Sequence, residues 1–255
     1  MDAIDVAGLM AVAGAAGWVD AVVGGGGLLL IPTLLLAFPQ LSPAVALGTN
    51  KLTAIAGTTV AAVTYARRTK LDRSVAVPAG LLAVPAASFG ALSASHLPTG
   101  WFRPVIMALL IAVAVFVAMR PAFGAVEGAE AVGRRRRMLA IALAGSGIGF
   151  YDGIFGPGTG TFLILTFTSL LSLEFVQSSA LAKVVNVGTN FGALCVFAFQ
   201  GQVLWLLGAS MAVCNIAGAA IGARTALRRG SGFVRIVLLV AVTGMVVKLS
   251  IDQFG

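Results

Sequence analysis

The chain has 255 residues, 59% of them hydrophobic and only 10% charged, with a net charge of +8 and a mean hydropathy of +1.01. A soluble domain carries about 25% charged residues, so this composition excludes a soluble globular protein and fits one solvated by lipid. The positive balance does not point to nucleic acid, because basic residues of a membrane protein collect in its cytoplasmic loops.

In chain order, apolar segments fall at about 4–23, 28–38, 44–66, 74–94 and 102–119. The first is preceded by Asp2 and Asp5 and no basic run, so it reads as retained rather than as a cleaved signal. A polar linker at about 120–137 holds three glycines, two glutamates and the run Arg134, Arg135, Arg136, Arg137. The pattern then begins again at about 138–155, 160–171, 176–199, 203–223 and 233–250. The expected division is a first transmembrane repeat at 1–120, a cytoplasmic linker at 121–137 and a second repeat at 138–255. Cys195 and Cys214 lie in apolar segments and read as small buried or lipid-facing residues. The single histidine, His96, is too little for a metal cluster. No metal and no cofactor is expected.

A shift of 132 residues superimposes the halves without a gap. Gly17 falls on Gly149, Asp20 on Asp152, Lys51 on Lys183, Gly90 on Gly222 and Arg103 on Arg235. Glycines alone could coincide in such a composition; an aspartate, a lysine and an arginine at one offset point to duplication. The basic loops set the relative orientation. Arg67, Arg68, Lys70 and Arg73 follow the third segment, whereas the matching loop "FQGQVLW" has no charge. Arg224, Arg228, Arg229 and Arg235 crowd the late loop of the second half, whereas its first-half partner holds only His96 and Arg103. If basic loops are cytoplasmic, equivalent loops face opposite sides, so the repeats are inverted, each with three or five full crossings. This orientation places 13 of the 17 lysines and arginines in the cytoplasm. The expected fold is an all-α polytopic membrane protein of two inverted-topology repeats with Gly-broken or re-entrant helices.

Inverted repeats with broken helices build midplane binding sites in secondary transporters. Gly24, Gly25, Gly26 and Gly27 interrupt the first half; Gly156, Pro157, Gly158, Thr159 and Gly160 interrupt the second. Free N–H groups at the start of the helix after each break would attract an anion. Lys51 and Lys183 lie deep in apolar segments, where a lysine costs about 2.5–3.5 kcal/mol and usually faces a cavity or a partner. Thr49 and Asn50 adjoin Lys51, and Asn186 and Asn190 share a helical face with Lys183. Together they suggest a cationic, donor-rich cavity for a small oxyanion. Asp20 and Asp152 either pair with the lysines or carry a coupling proton.

The stretches "GWVDAVVGGGGLLLIPTLLL", "ALGTNKL" followed by "YARRTKLD", and "GFYDGIFGPGTGTFLIL" followed by "AKVVNVGTN" resemble the TauE/SafE family of membrane transporters, the sulfite-exporter group, and within it the broad branch of permeases of unassigned substrate. The resemblance covers nearly the whole chain. It implies transport of sulfite, a sulfonate or a related organic anion, coupled to an ion gradient. The family's glycine-rich motif falls on residues 24–27 and 156–160, the second copy departing from it at Pro157 and Thr159.

The expected function is therefore not enzymatic. It is movement of a small anion across the cytoplasmic membrane by alternating access, with a proton or sodium ion as coupling partner and the lipid bilayer as surroundings. An anion channel is the alternative. An intramembrane aspartyl protease is a more distant one, because "FYDG" lacks the second Gly-x-Gly-Asp stretch such chemistry uses. No nucleotide-binding Gly-x-x-x-x-Gly-Lys-Ser/Thr loop occurs.

Overall fold

The computed structural model describes the backbone of residues 3–94 and 132–254. The apolar segment expected at 102–119, His96, Arg103, Arg120 and most of the linker lie outside the described residues. In the first half, α1 (Ala3–Val23), α2 (Gly27–Ala37), α3 (Pro43–Ala66) and α4 (Arg73–Ala94) follow one another. In the second, α5 (Arg134–Ala142) runs through a π-helical stretch (Leu143–Ile148) into α6 (Gly149–Ile154); α7 (Thr159–Leu171), α8 (Phe175–Phe199) and α9 (Trp205–Phe254) complete it. No strand occurs among the described residues. The chain is an all-α polytopic membrane protein.

Four of these helices contain windows long and apolar enough to span a bilayer: Val6–Val23, Arg73–Ala94, Phe175–Phe199 and Trp205–Val240. The 24 residues of α3 reach about 36 Å, but Asn50, Lys51 and five threonines make α3 less apolar. The 11 residues of α2 and 13 of α7 reach only about 16 and 20 Å at 1.5 Å per residue, less than the hydrocarbon thickness of about 30 Å. Large apolar side chains such as Leu81, Phe89, Phe199, Leu206 and Val213 project outward, a surface that lipid covers.

The boundaries follow local chemistry. Ser42 caps α3, its hydroxyl accepting from the Val45 N–H, and Pro43 occupies the first helical position where no donor is missed. Helix α1 ends at Gly24, whose φ of 78° suits glycine; the equivalent Gly156 has φ 82°. The arginine run is helical from Arg134; arginine is a good helix former. The segments expected at 203–223 and 233–250 are two helices that meet within α9 at a kink, where Gly230 (φ 74°, ψ −172°) leaves helical geometry.

The halves interleave. Helix α1 packs mainly on α9, and α4 packs on α8 and on the α5–α6 rod, while α3 packs on both α9 and α8. These pairings exchange under the 132-residue offset. So do two close backbone crossings: Gly90 of α4 lies against the Phe150 carbonyl, and Gly222 of α9 lies against that of Trp18.

Helices α3 and α8, equivalent under the offset, run in opposite directions. The start of α3 meets the end of α8, where the Leu204 N–H donates to the Thr49 hydroxyl at 3.1 Å and Gly48 approaches the Gln202 carbonyl. At the other end of the bundle, Arg137 pairs with Asp72 just beyond α3, and Arg136 donates to the Ser169 carbonyl, 3.0 Å away, shortly before α8.

The Asp72 carboxylate sits below its ordinary range. Partial burial acts to raise it, but hydrogen bonds from Ser74 and Arg137 and the guanidinium charge outweigh that. A depressed carboxylate contributes stability above its unfolded value of about 3.9 and loses it as pH falls through the folded value. The pair is 41% and 38% exposed, so Asp72→Asn is expected to cost no more than about 1 kcal/mol. Thermal melts of the two proteins in detergent should differ at neutral pH and converge on acidification.

Candidate functional site

Asp20 stands one turn before the break at Gly24, and Asp152 one turn before that at Gly156. Both point inward, to lysines of the opposite half. Lys51 Nζ lies 2.7 Å from Asp152 Oδ2, with the two side chains 1% and 2% exposed. Lys183 Nζ lies 3.0 Å from Asp20 Oδ2, with side-chain exposures of 0% and 13%. The two pairs exchange under the offset. Burying one ammonium alone would cost several kcal/mol, and a matched carboxylate offsets most of that. The cavity expected to be cationic is therefore charge-balanced: each lysine is neutralised by an aspartate.

The pairs differ in detail. Lys183 also donates to the main-chain carbonyl of Asp20, the same oxygen that accepts from the Gly24 N–H at 2.8 Å. Lys183 thus holds the end of α1, where a cation also suits the helix dipole. The Thr58 hydroxyl donates to Asp20 Oδ2 at 3.1 Å. Asp152 instead accepts from the Thr159 hydroxyl at 2.6 Å through Oδ1. Its Oδ2 meets Lys51 obliquely, by charge rather than by a well-directed hydrogen bond.

A helix that ends inside the membrane needs partners for its last carbonyls. At the end of α1, Tyr65 Oη donates to the Ala21 carbonyl at 3.0 Å and Thr161 Oγ1 to that of Val23 at 2.9 Å. At the second break, Tyr151 Oη donates to the Pro157 carbonyl at 2.7 Å. The Thr159 hydroxyl also lies 2.9 Å from the Gly156 carbonyl. Both interruptions are thus built and satisfied.

Between them lies a cavity of about 20 Å³, room for about one water molecule. Of the residues singled out from sequence, Asp20, Gly24, Gly27, Asn50, Lys51, Asp152, Gly156, Thr159, Asn186 and Asn190 line it. Gly25, Gly26, Thr49, Gly158, Gly160 and Lys183 do not border it. Thr49 accepts from Leu204, Gly26 packs on the Ala16 carbonyl and the Asp20 Cβ, and Gly160 packs on Gly24. Gly27, Thr159 and Gly160 are already helical rather than part of the breaks. Ala54 also lines the cavity; its place one turn after Asn50 and Lys51 was the available signal. Thr58, seven residues after Lys51 and matched to Asn190 by the offset, carried the same kind of signal; Tyr65 and Thr161 did not. Asn50, 3% exposed, keeps a carbonyl oxygen without a partner. Among the described residues no group of acidic, histidine or cysteine side chains could hold a metal ion.

The family model described as Sulfite exporter TauE/SafE matches residues 9–249. The Sinorhizobium sp "Probable membrane transporter protein ORF9" is 35% identical over 237 residues, 93% of this chain and 89% of its own. The Escherichia coli K12 "Probable membrane transporter protein YfcA" is 34% identical over 250 residues, 97% of this chain and 90% of its own. A "Probable membrane transporter protein" of Haemophilus influenzae is 31% identical over 238 residues, 93% and 91% of the two chains. No solved structure matches the chain significantly. With its duplicated glycine breaks and buried lysines, and a family match spanning nearly its full length, the chain is a membrane transporter that belongs to the sulfite exporter TauE/SafE family.

Proposed function

We propose that the chain is a secondary transporter that moves a small anion, such as sulfite, a sulfonate or a related organic anion, across the cytoplasmic membrane by alternating access. The observation that carries this reading is the pair of exchanged Lys/Asp contacts at two satisfied helix breaks around one polar cavity. Lys51 is a buried cation at the cavity that an anion can address, and both lysines sit between the two halves, so relative movement of the halves changes access to them. The opposed course of α3 and α8 supports inverted repeats. The end of the bundle bearing Arg67, Arg68, Arg136 and Arg137 would be cytoplasmic. The cavity has room for about one water, so a movement that widens it toward either face would admit the anion.

The same geometry speaks against aspartyl protease chemistry. That reaction uses two carboxylates sharing a proton, whereas Asp20 and Asp152 are each engaged by a lysine.

Flux in proteoliposomes tests the proposal with sulfite, ethanesulfonate, acetate and sulfate. Saturable uptake of at least one of them, with counterflow after preloading, is the expected result. Movement of neutral or cationic solutes alone would overturn the anion reading, and currents without saturation or counterflow would point to a channel.

A further inference from the structure

Resting on the anion reading above, we propose that Asp152 is a tethered competitor for the transported anion: the anion replaces its carboxylate at Lys51, and Asp152 takes up one proton as it is displaced.

The cavity of about 20 Å³ cannot hold a sulfonate or sulfite beside the present side chains. The head that enters takes the counter-charge position at Lys51 now held by the Asp152 carboxylate. Charge then fixes the proton. Two lysines and two aspartates sum to zero; a monoanion alone would leave a net buried charge of −1, which costs several kcal/mol. One proton on Asp152 restores neutrality. The balance is one Lys51/Asp152 contact broken, one Lys51/anion contact formed, and one proton moved from water to Asp152.

The surroundings suit both protonation states. Asp152 Oδ2 has no well-directed hydrogen bond. The Thr159 hydroxyl has one hydrogen and two acceptors, Asp152 Oδ1 at 2.6 Å and the Gly156 carbonyl at 2.9 Å. It donates to the ionised carboxylate; once that group is protonated, it turns to Gly156 and accepts instead. Asn50 contributes a buried carbonyl oxygen without a partner, and an anion offers it no donor, whereas a carboxylic acid does.

The groups facing Asp152 are Lys51 on α3, Thr159 on α7 and Asp20 across the cavity, with Tyr151 beside it on α6; Lys183 lies on Asp20, outside the cavity. Helix α4 meets this turn through Ala87, Gly90 and Ala91. Asp20 is not equivalent. Its lysine also holds the end of α1 and does not border the cavity. The first-half position matching Thr159 is Gly27, which has no hydroxyl.

The test is ethanesulfonate uptake into proteoliposomes, a probe that stays a monoanion across the usable pH range. The wild type should accumulate it about tenfold per pH unit when the outside is the more acidic face, with no response to a potassium–valinomycin potential. Asp152→Asn should lose the response to the pH gradient and follow the potential. In detergent it should bind the probe more tightly, by about tenfold or more, because the internal competitor is gone. Asp20→Asn should keep the response to the gradient, whatever its rate. Thr159→Val, which keeps Asp152, should shift the pH profile of uptake upward, and it locates the proton if Asp152→Asn does not fold. Wild-type uptake that follows the potential and ignores the pH gradient overturns this inference and leaves the anion reading standing. So does a gradient response that survives in Asp152→Asn and vanishes in Asp20→Asn. If no anion of the panel moves, the anion reading falls and this inference with it.

Discussion

Replacing Lys51 with methionine is expected to lower stability by about 3–5 kcal/mol, the usual cost of stranding one member of a buried ion pair, and to abolish anion transport. Methionine keeps the length of the stem and fills similar space, so the loss comes from charge. Asp152, 2% exposed, would keep the Thr159 hydroxyl but lose its counter-ion. The loss should shrink on acidification, because a protonated Asp152 is no longer a buried charge. The double replacement Lys51→Met with Asp152→Leu should recover most of the stability, since apolar groups of similar volume often replace a buried pair at little cost. It should recover no transport. The matching cycle at Lys183 and Asp20 should recover less, because Lys183 also donates to the Asp20 carbonyl at the end of α1, a bond that methionine at position 183 cannot make. Urea or thermal unfolding in detergent measures both cycles. A Lys51→Met protein as stable as the wild type at neutral pH would sink the argument, as would transport that survives in it.

The parts of this site legible in the sequence are those whose chemistry clashes with a bilayer. Lys51, Lys183, Asp20 and Asp152 stand out because a charge in an apolar run needs a reason. The glycine tracts stand out because they interrupt helices where lipid tolerates no loose backbone. The pairing was not legible. Each aspartate precedes its own repeat's lysine in the chain, and nothing local says that it reaches the other repeat's lysine. Thr161 was silent for another reason. A hydroxyl in an apolar helix commonly bonds the carbonyl four residues back, as Thr33, Thr59 and Thr64 do here. Only the packing shows that Thr161 reaches Val23 instead. The two spans expected at 203–223 and 233–250 are two helices, but the connection between them is tighter than a loop: the chain turns at one residue, Gly230. The flanking sequence "RTALRRGSGF" reads equally well as a loop between two spans.

The second large effect lies at the breaks, and it separates two glycines that the repeat makes equivalent. Gly24→Ala is expected to cost about 2–5 kcal/mol and to stop transport. Part of this is the left-handed backbone, φ 78°, worth about 1–3 kcal/mol for a residue with a Cβ. The rest is contact: a Cβ there would lie 2.2 Å from the Gly160 Cα and 2.8 Å from the Thr161 nitrogen. Those atoms are backbone and cannot swing aside, so the two halves must separate where Thr161 holds the Val23 carbonyl. Gly156→Ala carries the same backbone penalty, φ 82°, but its Cβ would find nothing nearer than the Lys51 Nζ at 3.6 Å. Its expected cost is the backbone term alone, about 1–3 kcal/mol. Function should differ in kind as well. Alanine at 156 narrows the space beside Lys51, which should raise the KM for the anion more than it lowers the maximal rate. Alanine at 24 disrupts the contact between the halves and should lower the rate itself. The two variants share one position in the repeat, one residue type and one backbone region. A difference between them therefore measures the Gly24/Gly160 crossing, and equal stabilities would mean that the crossing is not close-packed in the membrane.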